Sequence, residues 1–142
     1  MATLLRRLEF KQRYPEIRQG LFIVPSEKRL PKGQEDINIG RVLSAALSDV
    51  TENDRADAVS PLIADAVSRF TAMTLTHIEI LFTPELHLDV VGTLLALCRN
   101  RKICIVWPGV MDGGKLYYAK PEDPEYYECD PRPLQDTYII FE

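Results

Sequence analysis

The stretch THIEILFTPELHLDVVGTLLALCRNRKICIVW, Thr76–Trp107, decides the fold. Two apolar runs, His77–Phe82 and Lys102–Trp107, flank one helical run, Asp89–Cys98. Ile78, Ile80, Leu81 and Phe82 are rich in strand-forming character, and so are Ile103, Ile105, Val106 and Trp107. Between them Val90, Val91, Leu94, Leu95, Leu97 and Cys98 recur at helical spacing, with Asp89 placed to cap the helix. The pattern predicts a strand–helix–strand unit whose strands, if they share a sheet, run parallel with a right-handed crossover. Runs this apolar suit strands covered on both faces.

Working outward, the 142 residues predict one domain over 1–142 with a single sizeable core. The chain is 46% hydrophobic and 27% charged, ordinary values for a soluble globular protein. A net charge of −4 and a pI of about 5.3 argue against a surface that grips nucleic acid as a whole, while leaving room for a local basic patch. Cys98, Cys104 and Cys129 are odd in number and lack CxxC spacing, which reads as free thiols in a reducing compartment. Arg6, Arg7 and Glu9 interrupt Met1–Phe10 where a secretory leader needs an apolar run, and no run approaches a membrane span. A cytoplasmic location is expected.

Before the central unit, Ala2–Tyr14 reads as a helix with Leu4, Leu5 and Leu8 toward the core; Phe10 lies off that stripe. Leu21–Val24 is a short buried strand, Pro25–Gly33 a loop, Ile37–Ile39 a very short strand and Gly40–Leu47 a helix. Arg55–Phe70 contains a helix with an apolar stripe at Val59, Leu62, Ile63, Ala66, Val67 and Phe70. Pro61 sits inside it, so the preferred start is near Ser60. After Trp107, Asp112-Gly113-Gly114 is a turn, and Lys115–Ala119 reads as a strand with Ile103–Trp107 as a candidate hairpin partner. The proline-rich Lys120–Pro133 reads as irregular loop. Thr137–Phe141 is a last strand for a sheet edge.

The phrases HIEILFTPELHLD, LCRNRK, VWPG and GGKLYYAKPEDPEYYE resemble the second half of the small P-loop subunit family (BrxF) of type 3 BREX phage-defence systems. The similarity covers roughly residues 37–128 and is densest from Ile78 onward. It implies an α/β fold, a mainly parallel sheet with helices on both faces, and a component of an antiphage defence complex. An intact member of that family would bind ATP with magnesium.

The equipment for that is missing. A P-loop needs a glycine-rich turn whose N–H groups cradle phosphates, a lysine to neutralise charge and a Ser/Thr for magnesium. Here Leu21–Val24 leads into Pro25-Ser26-Glu27-Lys28-Arg29, with no GxxxxGK[ST]; Lys32-Gly33 reverses the required order. The space from Pro25 to Asp36 is also too short for a phosphate loop and its helix. On the resemblance, an Asp precedes the IEILF phrase to hold magnesium; Thr76 stands there instead, with Glu79 nearby. The expectation is therefore a P-loop-like fold without its phosphate loop. It is expected to serve as a non-catalytic subunit or adaptor acting through assembly with other defence proteins or with itself, and to need no cofactor. The alternatives are a nucleotide-binding subunit with an unusual phosphate site at Lys28, Arg29 or Lys32, which would need ATP and magnesium, and a nucleic-acid accessory protein.

Arg99, Arg101 and Lys102 follow the central helix. They fit three roles: cations complementing a helix C-terminus, a subunit contact, or a DNA phosphate contact. Tyr117, Tyr118, Tyr126 and Tyr127 fit either a partner surface or a cover for the open end of the sheet. His77 and His87 lack metal-pair spacing, and no GxSxG is present, so neither metal binding nor a serine nucleophile is expected.

Overall fold

The computed structural model describes residues 1–141. Six strands form one all-parallel sheet: β1 (Thr3–Arg6), β2 (Gly20–Val24), β3 (Glu35–Asn38), β4 (Ala72–Thr76), β5 (Lys102–Val106) and β9 (Thr137–Phe141). Their spatial order is β1-β9-β2-β5-β4-β3. Three short strands, β6 (Val110–Asp112), β7 (Lys115–Tyr118) and β8 (Tyr127–Cys129), form a separate antiparallel sheet. The fold class is α/β, as the apolar runs predict.

The two-residue period of a strand divides the core. Leu21, Ile23, Met73, Leu75, Ile103, Ile105 and Ile139 share one cluster with α2 (Ile39–Leu47), α3 (Arg55–Val67) and α4 (Val90–Ala96). Leu5, Phe22, Val24, Cys104 and Ile140 alternate with them and pack with Phe10 of α1 (Arg7–Arg13) on the other face. Helices thus lie on both faces, three against one. α2 buries Ile39, Leu43 and Leu47, and α3 buries Val59, Ile63 and Val67, each set one turn apart.

Several elements depart from the sequence reading. The strand of the central unit is β4, Ala72–Thr76, which ends just before the IEILF phrase. His77, with φ 56°, ends it in the left-handed region. Ile78–Phe82 then forms a 3-10 helix that buries Ile78, Leu81 and Phe82. A short apolar run fits either period, and here the i, i+3, i+4 placement prevails. The unit β4–α4–β5 survives as an adjacent parallel pair.

Thr3–Arg6 is a strand, not the start of a helix, because β9 offers it an edge with Leu5 beside Ile140. Of the expected leucine stripe only Leu5 is buried; Leu4 and Leu8 are 54% and 62% exposed, while Phe10 is buried. α3 begins at Arg55, so Pro61 lies inside it and leaves the Asp57 carbonyl without its helical donor. The hairpin between β7 and β5 does not form, since β2 and β4 occupy both edges of β5. β9 is interior, between β1 and β2. No helix among the described residues is long and apolar enough to cross a membrane.

Aromatic contacts hold the small sheet on the large one. The Tyr118 ring stacks on Phe82 at 3.9 Å, and Trp107 donates from Nε1 to the Tyr117 carbonyl at 2.9 Å. A Cβ at Gly109 would collide with that same carbonyl oxygen, which explains a glycine there. Asp89 precedes α4 as expected but makes no direct side-chain cap. Instead the Tyr127 hydroxyl donates to Asp89 Oδ1 at 2.6 Å and accepts from the Val91 N–H at 3.1 Å. The tyrosine thus relays the cap and ties β8 to α4. Tyr127→Phe should lower the unfolding free energy by about 1–2 kcal/mol, the scale of a lost cap. Urea unfolding followed by the fluorescence of Trp107, the single tryptophan, would show it.

Candidate functional site

In a parallel sheet, ligands favour the crevice at the carboxyl ends of strands whose connections leave toward opposite faces. Here that point lies between β2 and β5. The connection after β2 crosses the α1 face, where Leu30 joins that cluster. The connection after β5 passes through the small sheet, whose Leu116, Tyr118 and Tyr127 belong to the opposite cluster.

A cavity of about 180 Å³ lies near these strand ends, lined by Glu27, Leu30, Leu75, Thr76, His77, Ile78, Glu79, Val106 and Pro108. It holds two carboxylates and no lysine or arginine. Thr76 Oγ1 donates to the Ile37 carbonyl at 3.4 Å and lies 3.1 Å from His77 Nδ1. Pro25 opens the loop after β2 without an N–H, and Glu27–Arg29 is a single 3-10 turn. Among the described residues the crevice thus offers no side-chain cation to nucleotide phosphates, and its carboxylates Glu27 and Glu79 would repel them directly.

The basic residues of that loop turn elsewhere. Lys28, Arg29 and Lys32 line a larger cavity, about 610 Å³, on the α1 face. Its other wall carries Arg7, Leu8, Phe10 and Lys11 of α1, with Tyr14, Pro15 and Gln34 behind. No carboxylate lines it among the described residues. Among the described residues, Arg7, Lys11, Lys28 and Lys32 enter no ion pair.

The floor of this groove is a chain of hydrogen bonds. Tyr14 donates its hydroxyl to Gln34 Oε1 at 2.7 Å, and Gln34 Nε2 donates to the buried Thr74 Oγ1 at 3.1 Å. Lys102 Nζ donates to the Tyr14 carbonyl at 3.0 Å and lies 3.9 Å from the centre of its ring. Cys104 Sγ lies 3.5 Å from the Tyr14 hydroxyl. The end of the loop after β2 is therefore tied to Tyr14 and to the sheet across this face by side-chain hydrogen bonds of Gln34.

Arg99, Arg101 and Lys102 do not converge. All three stand at the amino end of β5, opposite the strand-end crevice. Arg101 donates from Nε to the Phe70 carbonyl at 3.2 Å, beyond the end of α3, while Lys102 is engaged with Tyr14 on the other face. Arg99 is exposed. The tyrosines divide as well. Tyr118 and Tyr127 turn inward on Phe82, whereas Tyr126 donates its hydroxyl to Glu128 in the exposed loop. Tyr117 is half-buried, in register with Glu128.

Sequence reasoning did not find Arg7 and Lys11 as partners of the loop lysines, nor Tyr14 and Gln34 as the floor. The i, i+4 spacing of Arg7 and Lys11 places them on one side of a helix. What they face depends on α1 and the β2–β3 connection sharing one side of the sheet. No protein-family model, curated protein or solved structure matches the chain.

The buried thiols of the two core clusters, Cys104 beneath the groove and Cys98 on the opposite face, carry a pH signature. Burial pushes the Cys104 thiol up to about 11, and it pushes that of Cys98 up to about 12. Burial also raises Tyr14, and it lowers Lys102. An unfolded thiol ionises near its ordinary 9.0. Above that pH the unfolded chain releases protons that the folded chain keeps, so these thiols contribute full stability below about pH 9 and lose it through about pH 11–12. Lys102 works in the opposite sense. Urea midpoints should fall as pH rises above about 9, and less steeply in Cys98→Ala/Cys104→Ala. An unchanged slope in the double variant would contradict this assignment.

Proposed function

We propose that this chain is a non-catalytic subunit or adaptor of an antiphage defence assembly of the BREX type. On this reading it derives from a P-loop architecture and acts through protein–protein contacts. The observation that carries it is the crevice at the carboxyl ends of β2, β4 and β5. Where an NTPase of this architecture needs cations and a cradle of N–H groups, the chain places Glu27, Glu79 and a proline-led loop. The buried strands around that crevice remain intact, as a retained scaffold would require.

An assembly role needs a surface, and the β1 edge supplies one. β1 pairs on one side only, so its outer backbone groups remain available. Beside it Leu4 and Phe141 are 54% and 38% exposed on the face opposite α1, with the Arg6 guanidinium 5.9 Å from the Phe141 ring centre. A strand or apolar segment of a partner would pair with that edge and cover those side chains.

The purified chain should release no phosphate from ATP with magnesium above a protein-free control. Co-expressed with the other proteins of a type 3 BREX system, the tagged chain should retain at least one of them through purification. Leu4→Glu/Phe141→Glu should reduce that recovery about 10-fold or more, the equivalent of about 1.4 kcal/mol, without changing the unfolding midpoint. Robust ATP turnover by the isolated chain would sink the adaptor reading.

A further inference from the structure

We propose that the groove between α1 and the loop from Lys28 to Gln34 binds a compact oligophosphate, a ligand carrying two or three linked phosphates. This site is separate from the strand-end crevice and does not depend on the assembly reading.

Charge is the first argument. The chain carries more acids than bases, 21 against 17, yet the groove is lined by Arg7, Lys11, Lys28, Arg29 and Lys32 with no carboxylate among its described lining residues, and Arg7, Lys11, Lys28 and Lys32 enter no ion pair among the described residues. Like charges gathered around one cavity repel, and the repulsion is relieved when an anion enters. The cations come from two walls. Arg7 and Lys11 belong to α1, and the other three belong to the loop, so one anion between the walls can meet both sets.

Shape and support are the second argument. A volume of about 610 Å³ falls in the range of small-molecule sites and exceeds the strand-end crevice more than threefold. The floor is pre-organised: Tyr14, Gln34 and Thr74 are already linked, and Lys102 fixes the end of the helical segment at the Tyr14 carbonyl. Binding therefore need not order the floor first.

The same features define the ligand. A nucleic-acid strand would run beyond the groove past the exposed carboxylates Glu16, Glu27 and Glu35, each next in sequence to a groove residue, whereas a compact oligophosphate concentrates its charge within it. The aromatic rings at the groove, Phe10 and Tyr14, already pack against each other and against Phe22, and Lys102 Nζ lies 3.9 Å from the Tyr14 ring centre, so a base would compete with existing contacts to stack there. The phosphates, not the base, should set the affinity.

Calorimetric titration of the full chain at low ionic strength tests this. Inorganic tripolyphosphate, ATP and GTP should each bind at one site with affinities within a few-fold of one another, and orthophosphate and AMP far more weakly. Lys28→Glu and Lys32→Glu alter exposed side chains and should leave the circular dichroism unchanged. Each should weaken tripolyphosphate binding about 10-fold or more, as loss of a charge-assisted contact implies. Lys11→Glu should do the same from the other wall, while Lys115→Glu and Lys120→Glu should not. No tripolyphosphate binding, binding that survives the loop and α1 variants, or tighter binding of a single-stranded oligonucleotide would each overturn the proposal. ATP binding without tripolyphosphate binding would also overturn it, because a nucleoside would then be what is recognised.

Discussion

A parallel sheet must be covered on both faces, and in this protein the coverage is unequal. Three helices seal one face, while the other has only the seven residues of α1. The shortfall is met by aromatic packing. Phe22 is flanked by Tyr138, stacked at 4.7 Å, and by Phe10 and Tyr14 in edge or tilted contact. Beyond that cluster, on the same face, the Tyr14–Gln34–Thr74 chain extends the cover to β4. The thin face therefore relies on a loop held by side chains. That loop is the element brought against α1 to form the groove.

The consequence for chemistry is a separation of charge from the sheet's crevice. The loop after β2 stands at the strand ends, where an anion site would be expected in an α/β protein. Its acidic residue Glu27 faces the crevice, while Lys28, Arg29 and Lys32 face α1. A turn of 3-10 helix over Glu27–Arg29 suffices to send successive side chains in different directions. Sequence adjacency alone could not have separated these roles.

Local pattern carried much of the fold into the sequence. The fully apolar β2, the stripe of α2 and the β4–α4–β5 unit follow from residue type and spacing. The errors share a physical cause, competition between partners. Ile78–Phe82 has strand propensity, but β4 already supplies the neighbour of β5 and leaves that run to a 3-10 turn. Leu4 and Leu5 sit at helical spacing from Leu8, but an open edge of β9 draws Thr3–Arg6 into the sheet. β7 could not join β5 because both edges were taken. The candidate site was legible in part: the loop cations were visible as residues, while their partners on α1 and their floor depend on contacts distant in sequence.

The position of β9 bears on how the chain folds. β9 is the last strand in sequence, yet it separates β1 from β2, the first two. β4 can recruit β3 and β5 as soon as they exist, whereas β1 has no other partner in the sheet and must wait for residues more than a hundred positions later. Closing such a loop is entropically costly and slow. During synthesis the apolar β2 would rest on β5 with its other edge bare, a nascent half-sheet open to pairing with any extended segment nearby. Chaperone dependence should therefore concentrate in the interval before Thr137–Phe141 leaves the ribosome.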